Sequence, residues 1–329
     1  YWLTIAQIVN FVSLFAVSIF LGNFVDKTTY GEYKYVISIS SILYVFCISG
    51  FNIVIPKLVS KGLTNIINQA FKSTLISSLV GSLFAIIISV YYHINNNAVL
   101  AICFLIISAS IPLFNSLQLY SSYLTGYKDY KRIALYGFAP DIISAISTIL
   151  VSTYTPNTLA LIATYFASNI CIHGLMYILV LHKYPPQNTP VVNKQAEHVA
   201  LNLSFMNIIS AFANNIDKFL IFHFLGAESL AILTFAQAFP NQIKSVQKNI
   251  IPISISKFSE KDGSGINLKK VLPSILLTNL FIIILYLLLT DRLFSFFFPN
   301  YLASISLSRI ISLSLIFIPI NYLIQTYQK

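Results

Sequence analysis

Asn97-Ala98-Val99-Leu100-Ala101-Ile102-Cys103-Phe104-Leu105-Ile106-Ile107 opens a run that reaches Tyr120 without one Asp, Glu, Lys or Arg. A helix rises about 1.5 Å per residue, so roughly 20 apolar residues cross the hydrocarbon core of a bilayer. This run is long enough to be a membrane span, and it is one of a series. Outward from it, comparable stretches occupy residues 2–24, 33–56, 70–92, 133–154, 158–181, 200–224, 229–255, 271–290 and 302–325. About ten spans with little between them predict an all-α integral membrane protein.

Composition agrees with that reading. The chain is 57% hydrophobic and 9% charged, with a mean hydropathy of +0.78, and a soluble chain of this make-up would expose large apolar patches. The net charge of +10 sits in short loops. It therefore reads as orientation in the membrane and not as a surface for nucleic acid. Cys47, Cys103 and Cys171 fall inside apolar spans and lack disulfide or metal spacing, so they are expected as small core residues. The first apolar stretch is too long for a signal peptide and lacks a small-residue cleavage pattern. A start at Tyr1 without Met and an end at Lys329, directly after an apolar span, suggest a fragment of a longer protein.

Basic residues alternate from loop to loop. Lys57, Lys61, Lys72, Lys128, Lys131, Arg132, Lys183, Lys194, Lys257, Lys261, Lys269 and Lys270 lie on one side; Lys27, Lys34 and Arg292 lie on the other. This places the even-numbered loops, and with them the N-terminus, in the cytoplasm. The segment His182 to His198, with Pro185, Pro186 and Pro190, is the least membrane-like and reads as a connector. It divides the chain into a six-helix lobe, 1–181, a cytoplasmic linker, 182–198, and an incomplete four-helix lobe, 199–329. The lobes share short matches. Leu21-Gly22 before Tyr30-Gly31 pairs with Leu225-Gly226 before Leu230-Ala231, and Ile55-Pro56-Lys57 pairs with Ile251-Pro252 before Lys257. Six spans per unit make this a parallel repeat about the membrane normal.

Polar residues inside the spans need a reason, because an ionisable group at bilayer depth costs about 2.5–3.5 kcal/mol on insertion scales. Gln237, Asn241, Lys244 and Lys248 fall on one helical face of span eight. Span seven carries Asn207, Ser210, Asn214, Asp217 and Lys218; span four carries Ser108, Asn115, Gln118 and Ser122; spans one and two offer Gln7, Asn10, Lys34, Ser38, Ser41 and Asn52. Such faces are stable together when they enclose water or one another. Pro112, Pro140, Pro240, Pro273 and Pro319 would bend their helices. No Gly-rich phosphate loop or His/Cys metal pattern is present, and no soluble domain offers a nucleotide site, so the chain reads as no enzyme and as needing no cofactor.

Four segments then fall in the order found in one family. Phe24-Val25-Asp26-Lys27-Thr28-Thr29-Tyr30-Gly31-Glu32-Tyr33 resembles the first turn of polysaccharide-unit flippases. Ser122-Tyr123-Leu124-Thr125-Gly126-Tyr127-Lys128-Asp129-Tyr130 resembles their turn between helices four and five. Asn215-Ile216-Asp217-Lys218-Phe219-Leu220-Ile221 before Phe224-Leu225-Gly226 resembles their helix seven, and Phe298-Pro299-Asn300-Tyr301 their turn between helices nine and ten. The chain is similar to Wzx-type O-antigen or capsule flippases of the multidrug/oligosaccharidyl-lipid/polysaccharide exporter superfamily, with Phe298-Pro299 where a Phe-Gly is often found.

The resemblance implies twelve to fourteen helices in two lobes and a location in the bacterial inner membrane. It implies translocation of an undecaprenyl-pyrophosphate-linked oligosaccharide by alternating access, with a polysaccharide polymerase and a chain-length regulator as further partners. On this reading Lys244, Lys248, Asn241, Gln237, Asn214, Lys218, Arg309, Asn115 and Gln118 line a cavity, with Lys244 and Lys248 drawing the pyrophosphate. Lys248 and Arg309 can equally snorkel to the interface. Asp217 and Asp141 are candidates for ion coupling, or for pairing with a neighbouring lysine and for a polar contact between helices, respectively. His173 is either functional or a hydrogen-bonded packing residue. The alternatives are a peptidoglycan-precursor flippase, a drug/cation antiporter of the same superfamily, and, more remotely, a membrane-embedded polysaccharide polymerase.

Overall fold

The computed structural model describes residues 2–187, 194–262 and 268–319, without the side chains of 2–8, 246, 248–262 and 268–275. The expected side-chain roles of Gln7, Lys248, Lys257, Lys261, Lys269, Lys270 and Pro273 lie outside the described residues, as do the middle of the connector and the end of span ten. The described residues are mostly helical, with no strand among them. In order these are α1 (Trp2–Phe24), α2 (Lys27–Leu43), α3 (Phe51–Val59), α4 (Ile66–Ile94), α5 (Ala98–Gly126), α6 (Tyr130–Tyr154), α7 (Thr158–Lys183), α8 (Lys194–Asp262), α9 (Leu268–Phe297) and α10 (Ser304–Leu313). Short 3₁₀ turns follow α2 and flank α10.

Among the described residues six helical stretches are long and apolar enough to cross a membrane, and a seventh is gained if α2 and α3 form one span bent by 54°. One of the six, Lys194–Ser245, has 52 residues. At 1.5 Å each it measures about 78 Å, enough for two crossings of a core about 30 Å thick. Gly226 interrupts it with φ 84° and ψ 175°, between the expected spans 200–224 and 229–255. Span two differs from expectation. It is not one helix over 33–56, because the chain turns at residues 44–50 between α2 and α3.

The helices are inside-out relative to those of a soluble protein. α4 buries Ala70, Thr74, Ser78, Gly81, Ser82, Ala85 and Ser89 and turns Ile76, Leu79, Leu83, Ile87 and Val90 outward. A small-residue stripe lets backbones approach where lipid already satisfies the large apolar side chains. Facing α5, Ser89 donates to the Ala101 carbonyl at 2.7 Å, and on the same stripe the Leu43 carbonyl stands where a Cβ on Gly81 would be crowded. α10 repeats the pattern, with Ser304, Ser308 and Ser312 wholly buried and Leu307, Ile310 and Leu313 outside. Cys47 and Cys103 are buried as expected, but Cys171 is on the outer face of α7.

The chain forms two compact units, Tyr1–Leu230 and Ala231–Lys329. In the first unit α4 packs along α5, α1 along α6, and α7 against both α5 and α6. An apolar cluster joins Phe51, Ile55 and Val59 of α3 to Ile67 of α4, Tyr123 and Leu124 of α5, Val180 of α7 and Ala200 of α8. Helix starts are capped by the side chains the sequence supplies. Asp26, Asn97, Asp129 and Asn157 accept from the backbone N–H groups of Thr29, Leu100, Arg132 and Ala160, each cap contributing about 1 kcal/mol.

Three intrahelical prolines share one device. Proline has no N–H, so the carbonyl four residues back loses its helical donor, and in a bilayer water does not replace it. Each of the three carbonyls receives a donor from another helix. Tyr120 Oη donates to the Tyr136 carbonyl four before Pro140, at 2.8 Å. Ser308 Oγ donates to the Ala236 carbonyl four before Pro240, at 2.6 Å. Asn279 Nδ2 donates to the Leu315 carbonyl four before Pro319, at 3.0 Å.

Candidate functional site

In the first unit, the part of α8 before Gly226 lies against the broken span α2–α3. A Cβ on Gly31 would meet the Ala227 carbonyl oxygen at 1.9 Å, and one on Gly50 would meet that of Ala200 at 2.0 Å. The Gly50 N–H donates to Ser204 Oγ at 2.9 Å, and Asn207 Nδ2 donates to Ser49 Oγ at 3.0 Å. At the other end Thr28 Oγ1 donates to Glu228 at 3.4 Å. Thus the first turns of α2, around Tyr30-Gly31, touch the chain that follows Gly226. Between these anchor points Tyr35 stacks on Phe222, ring centroids 3.8 Å apart.

The cations of this unit lie on the same helices. Lys34, not singled out above as a site residue, places its ammonium 5.3 Å from the Tyr30 ring centre and 5.5 Å from that of Tyr33. Such contacts stabilise a cation by about 0.5–2 kcal/mol. Lys218 stands near enough for the two positive charges to repel; its Nζ donates to Asn215 Oδ1 at 3.1 Å, and the Asp217 charge is its neighbour. The Tyr30-x-x-Tyr33-Lys34 spacing was the available signal, since residues three and four apart share a helix face. Asn214 is exposed, its amide turned to the Ser210 carbonyl of its own helix at 2.7 Å. Asn115 bonds the Ile111 carbonyl of its own helix at 3.4 Å and also reaches the Cys47 thiol; Gln118 is half-buried.

Asp141 lies elsewhere in the unit. Asn10 of α1 donates to its carboxylate at 2.5 Å. Tyr120, which serves the Tyr136 carbonyl, also meets His173 Nδ1 at 3.1 Å. Its single hydroxyl proton goes to the carbonyl, so the imidazole is the donor in that pair. Glu32 accepts from Thr158 Oγ1 at 2.5 Å, fastening α2 to the start of α7.

The turn between α5 and α6 is held by a compact polar group. Asp129 pairs with Arg132 and accepts from Tyr184 Oη at 2.8 Å, while Tyr127 and Tyr184 stack 4.4 Å apart. Partial burial pushes the Asp129 carboxyl up, but the hydrogen bonds from Arg132 and Tyr184 outweigh it and hold it below the usual carboxylate range. Lys57 in the last turn of α3, Lys61 just after it, Lys128 and Lys131 at this turn and Lys183 at the end of α7 are all exposed.

The second unit carries the remaining candidates. Gln237 is half-exposed and Asn241 and Lys244 are exposed along α8. Lys244 is 18 residues past Gly226, about 27 Å along the helix. Arg309 does not stand alone: its Nη2 pairs with Asp291 at 2.7 Å, both side chains substantially exposed. Asn279, buried, accepts from Gln247 and donates to Leu315. No group of three His, Cys, Asp or Glu side chains that could hold a metal occurs among the described residues.

Compared with known families, residues 1–251 match the family described as "Polysaccharide biosynthesis protein". No curated protein and no solved structure gives a match.

Proposed function

This chain belongs to the polysaccharide biosynthesis protein family, and from that premise we propose that it carries a lipid-linked oligosaccharide across the bacterial inner membrane. It is a multi-pass membrane protein of the transporter or flippase kind. The cargo on this reading is an undecaprenyl-pyrophosphate-linked unit destined for O-antigen or capsule, and it moves by alternating access from a cytoplasmic N-terminal orientation. The polymerase and the chain-length regulator are the proteins expected to receive it.

The observation that carries the reading is the family match over most of the chain, and lysines carried on α2 and α8 support it. Lys34 rests on tyrosine rings and Lys218 on an amide, and Lys244 is exposed on a polar helix face. A cation at bilayer depth is tolerated when it serves an anion that comes and goes. Lys244, Lys248, Lys218, Asn241, Gln237, Asn214, Asn115, Gln118 and Arg309 form the proposed contact set, and Asp217 and Asp141 the candidates for ion coupling. Lys34 joins the set by its position beside Lys218.

Exposure of lipid-linked glycan at the outer leaflet, measured in a deletion strain, tests this. Loss of exposure, restored by the wild-type gene and not by Lys244→Gln at equal expression, supports the reading. Restoration by Lys244→Gln removes Lys244 from it. Drug sensitivity of the deletion strain with normal surface glycan overturns the cargo and favours an antiporter.

A further inference from the structure

The hydrogen bond from Ser308 to Ala236 is one link of a buried relay. Ser308 has a single hydroxyl proton and gives it to the carbonyl at 2.6 Å. Tyr286 Oη, 2.6 Å from Ser308 Oγ, is therefore the donor to Ser308. The direction of the relay is fixed: Tyr286 of α9 to Ser308 of α10 to the backbone of α8. Ser308 and Ala236 have no exposed surface and Tyr286 almost none.

The Ala236 carbonyl needs this donor because residue 240 is proline. A proline also opens the helix on its own side, and the direction of the following turn depends on how the freed carbonyl is held. Lys244 lies one turn beyond Pro240 and Lys248 two. Ser304 supplies an internal comparison. It is equally buried and donates to the Ile232 carbonyl at 2.8 Å, but residue 236 is alanine and keeps its own N–H for that carbonyl. Ser304 adds a contact, whereas Ser308 replaces one.

We propose that Ser308, fed by Tyr286, is a positioning residue: it holds the Ala236 carbonyl that Pro240 leaves without a donor, sets the course of α8 beyond Pro240 and so aims Lys244. The functional part of this rests on reading Lys244 as a cargo contact. The positional part does not, and the experiment separates them.

Lys244→Cys is introduced, and its reaction with a charged thiosulfonate reagent in membrane vesicles is followed by mass spectrometry of the peptide containing position 244. Ser308→Ala is expected to change the labelling rate about fivefold, the population change that one net hydrogen bond commands. Ser308→Thr retains the hydroxyl and is expected to keep the original rate. In a Pro240→Ala background residue 240 regains its N–H, so Ser308→Ala is expected to have no further effect. Ser304→Ala is expected to leave labelling unchanged in either background. If Ser308→Ala fails to fold, Tyr286→Phe keeps the ring, removes the feeding donor and is expected to shift the rate in the same direction. The proposal is overturned if Ser308→Ala leaves the rate unaltered, acts equally in the Pro240→Ala background, or is matched by Ser304→Ala. Thiol labelling is blind to cargo, so a failed Lys244→Gln glycan test would leave this result standing, and the reverse also holds.

Discussion

The carbonyl oxygen of Ala227 occupies the space that a side chain on Gly31 would need, 1.9 Å from the position of its Cβ. Backbone meets backbone there, so nothing can rotate aside. Gly31→Ala is expected to lower stability by about 1–3 kcal/mol, the usual range for forcing atoms into a packed contact. Thermal unfolding of the detergent-purified protein would read this as a lower Tm. Gly137→Ala, where an added Cβ meets nothing within 4 Å, should be neutral or raise Tm through helix propensity, by about 0.5–1 kcal/mol. Equal responses at the two sites would remove the contact argument.

Gly226 presents a different problem. Its Cβ would have open space, but φ 84° with ψ 175° is a conformation open essentially to glycine alone. Gly226→Ala is expected to cost about 1–3 kcal/mol through the backbone. The same Tm measurement applies, and an unchanged value would show that the interruption of α8 needs no glycine.

Asp129 gives a pH signature. Its carboxyl is held below the usual range in the folded chain, so its stabilisation is present above the unfolded value near 3.9 and is lost as pH falls through the folded value. Asp129→Asn keeps the N-cap acceptor and removes the charge. The variant should be less stable than wild type at neutral pH and converge with it below about pH 3. A constant gap in Tm between the two down to that pH would show that the Arg132 pair contributes nothing.

Tyr120 and Pro140 form the first-unit counterpart of the Ser308 arrangement. Tyr120→Phe leaves the ring packed and the Tyr136 carbonyl without its external donor, at a cost of about 1–3 kcal/mol. Combined with Pro140→Ala, which returns a donor to that carbonyl, the same change should cost much less. Additive losses in denaturant titration would show instead that the hydroxyl matters through His173.

How far the sequence reveals this molecule depends on which forces act locally. Helices α4 to α7 follow from apolar runs bounded by Asn97, Asp129 and Asn157, because length and capping are properties of short segments. The break at residues 44–50 was not legible. No proline stands there, and Gly50 is pinned by Ala200 and Ser204, more than 140 residues away. The polar candidates divide in the same manner. That Lys218 and Lys244 require an explanation is readable from composition. That Asn10 reaches Asp141, or that Asp291 holds Arg309, depends on helix rotation, which a sequence with apolar residues on every face does not encode. Wholly apolar periodicity carries no inside and outside; the small-residue stripes of α4 and α10 do, and they are the signal to read.

Gly31 lies before the interruption in the second span and Gly50 at its end, and one partner helix, itself interrupted at Gly226, clasps both. The early portion of α8 is thereby a splint across a fracture. Chain at 44–50 is held from outside, and its opening is expected to depend on Ala200 and Ala227 as well as on its own composition. Amide hydrogen exchange at Val45 to Ser49 should accordingly quicken when either distant clasp is loosened, although neither touches those amides.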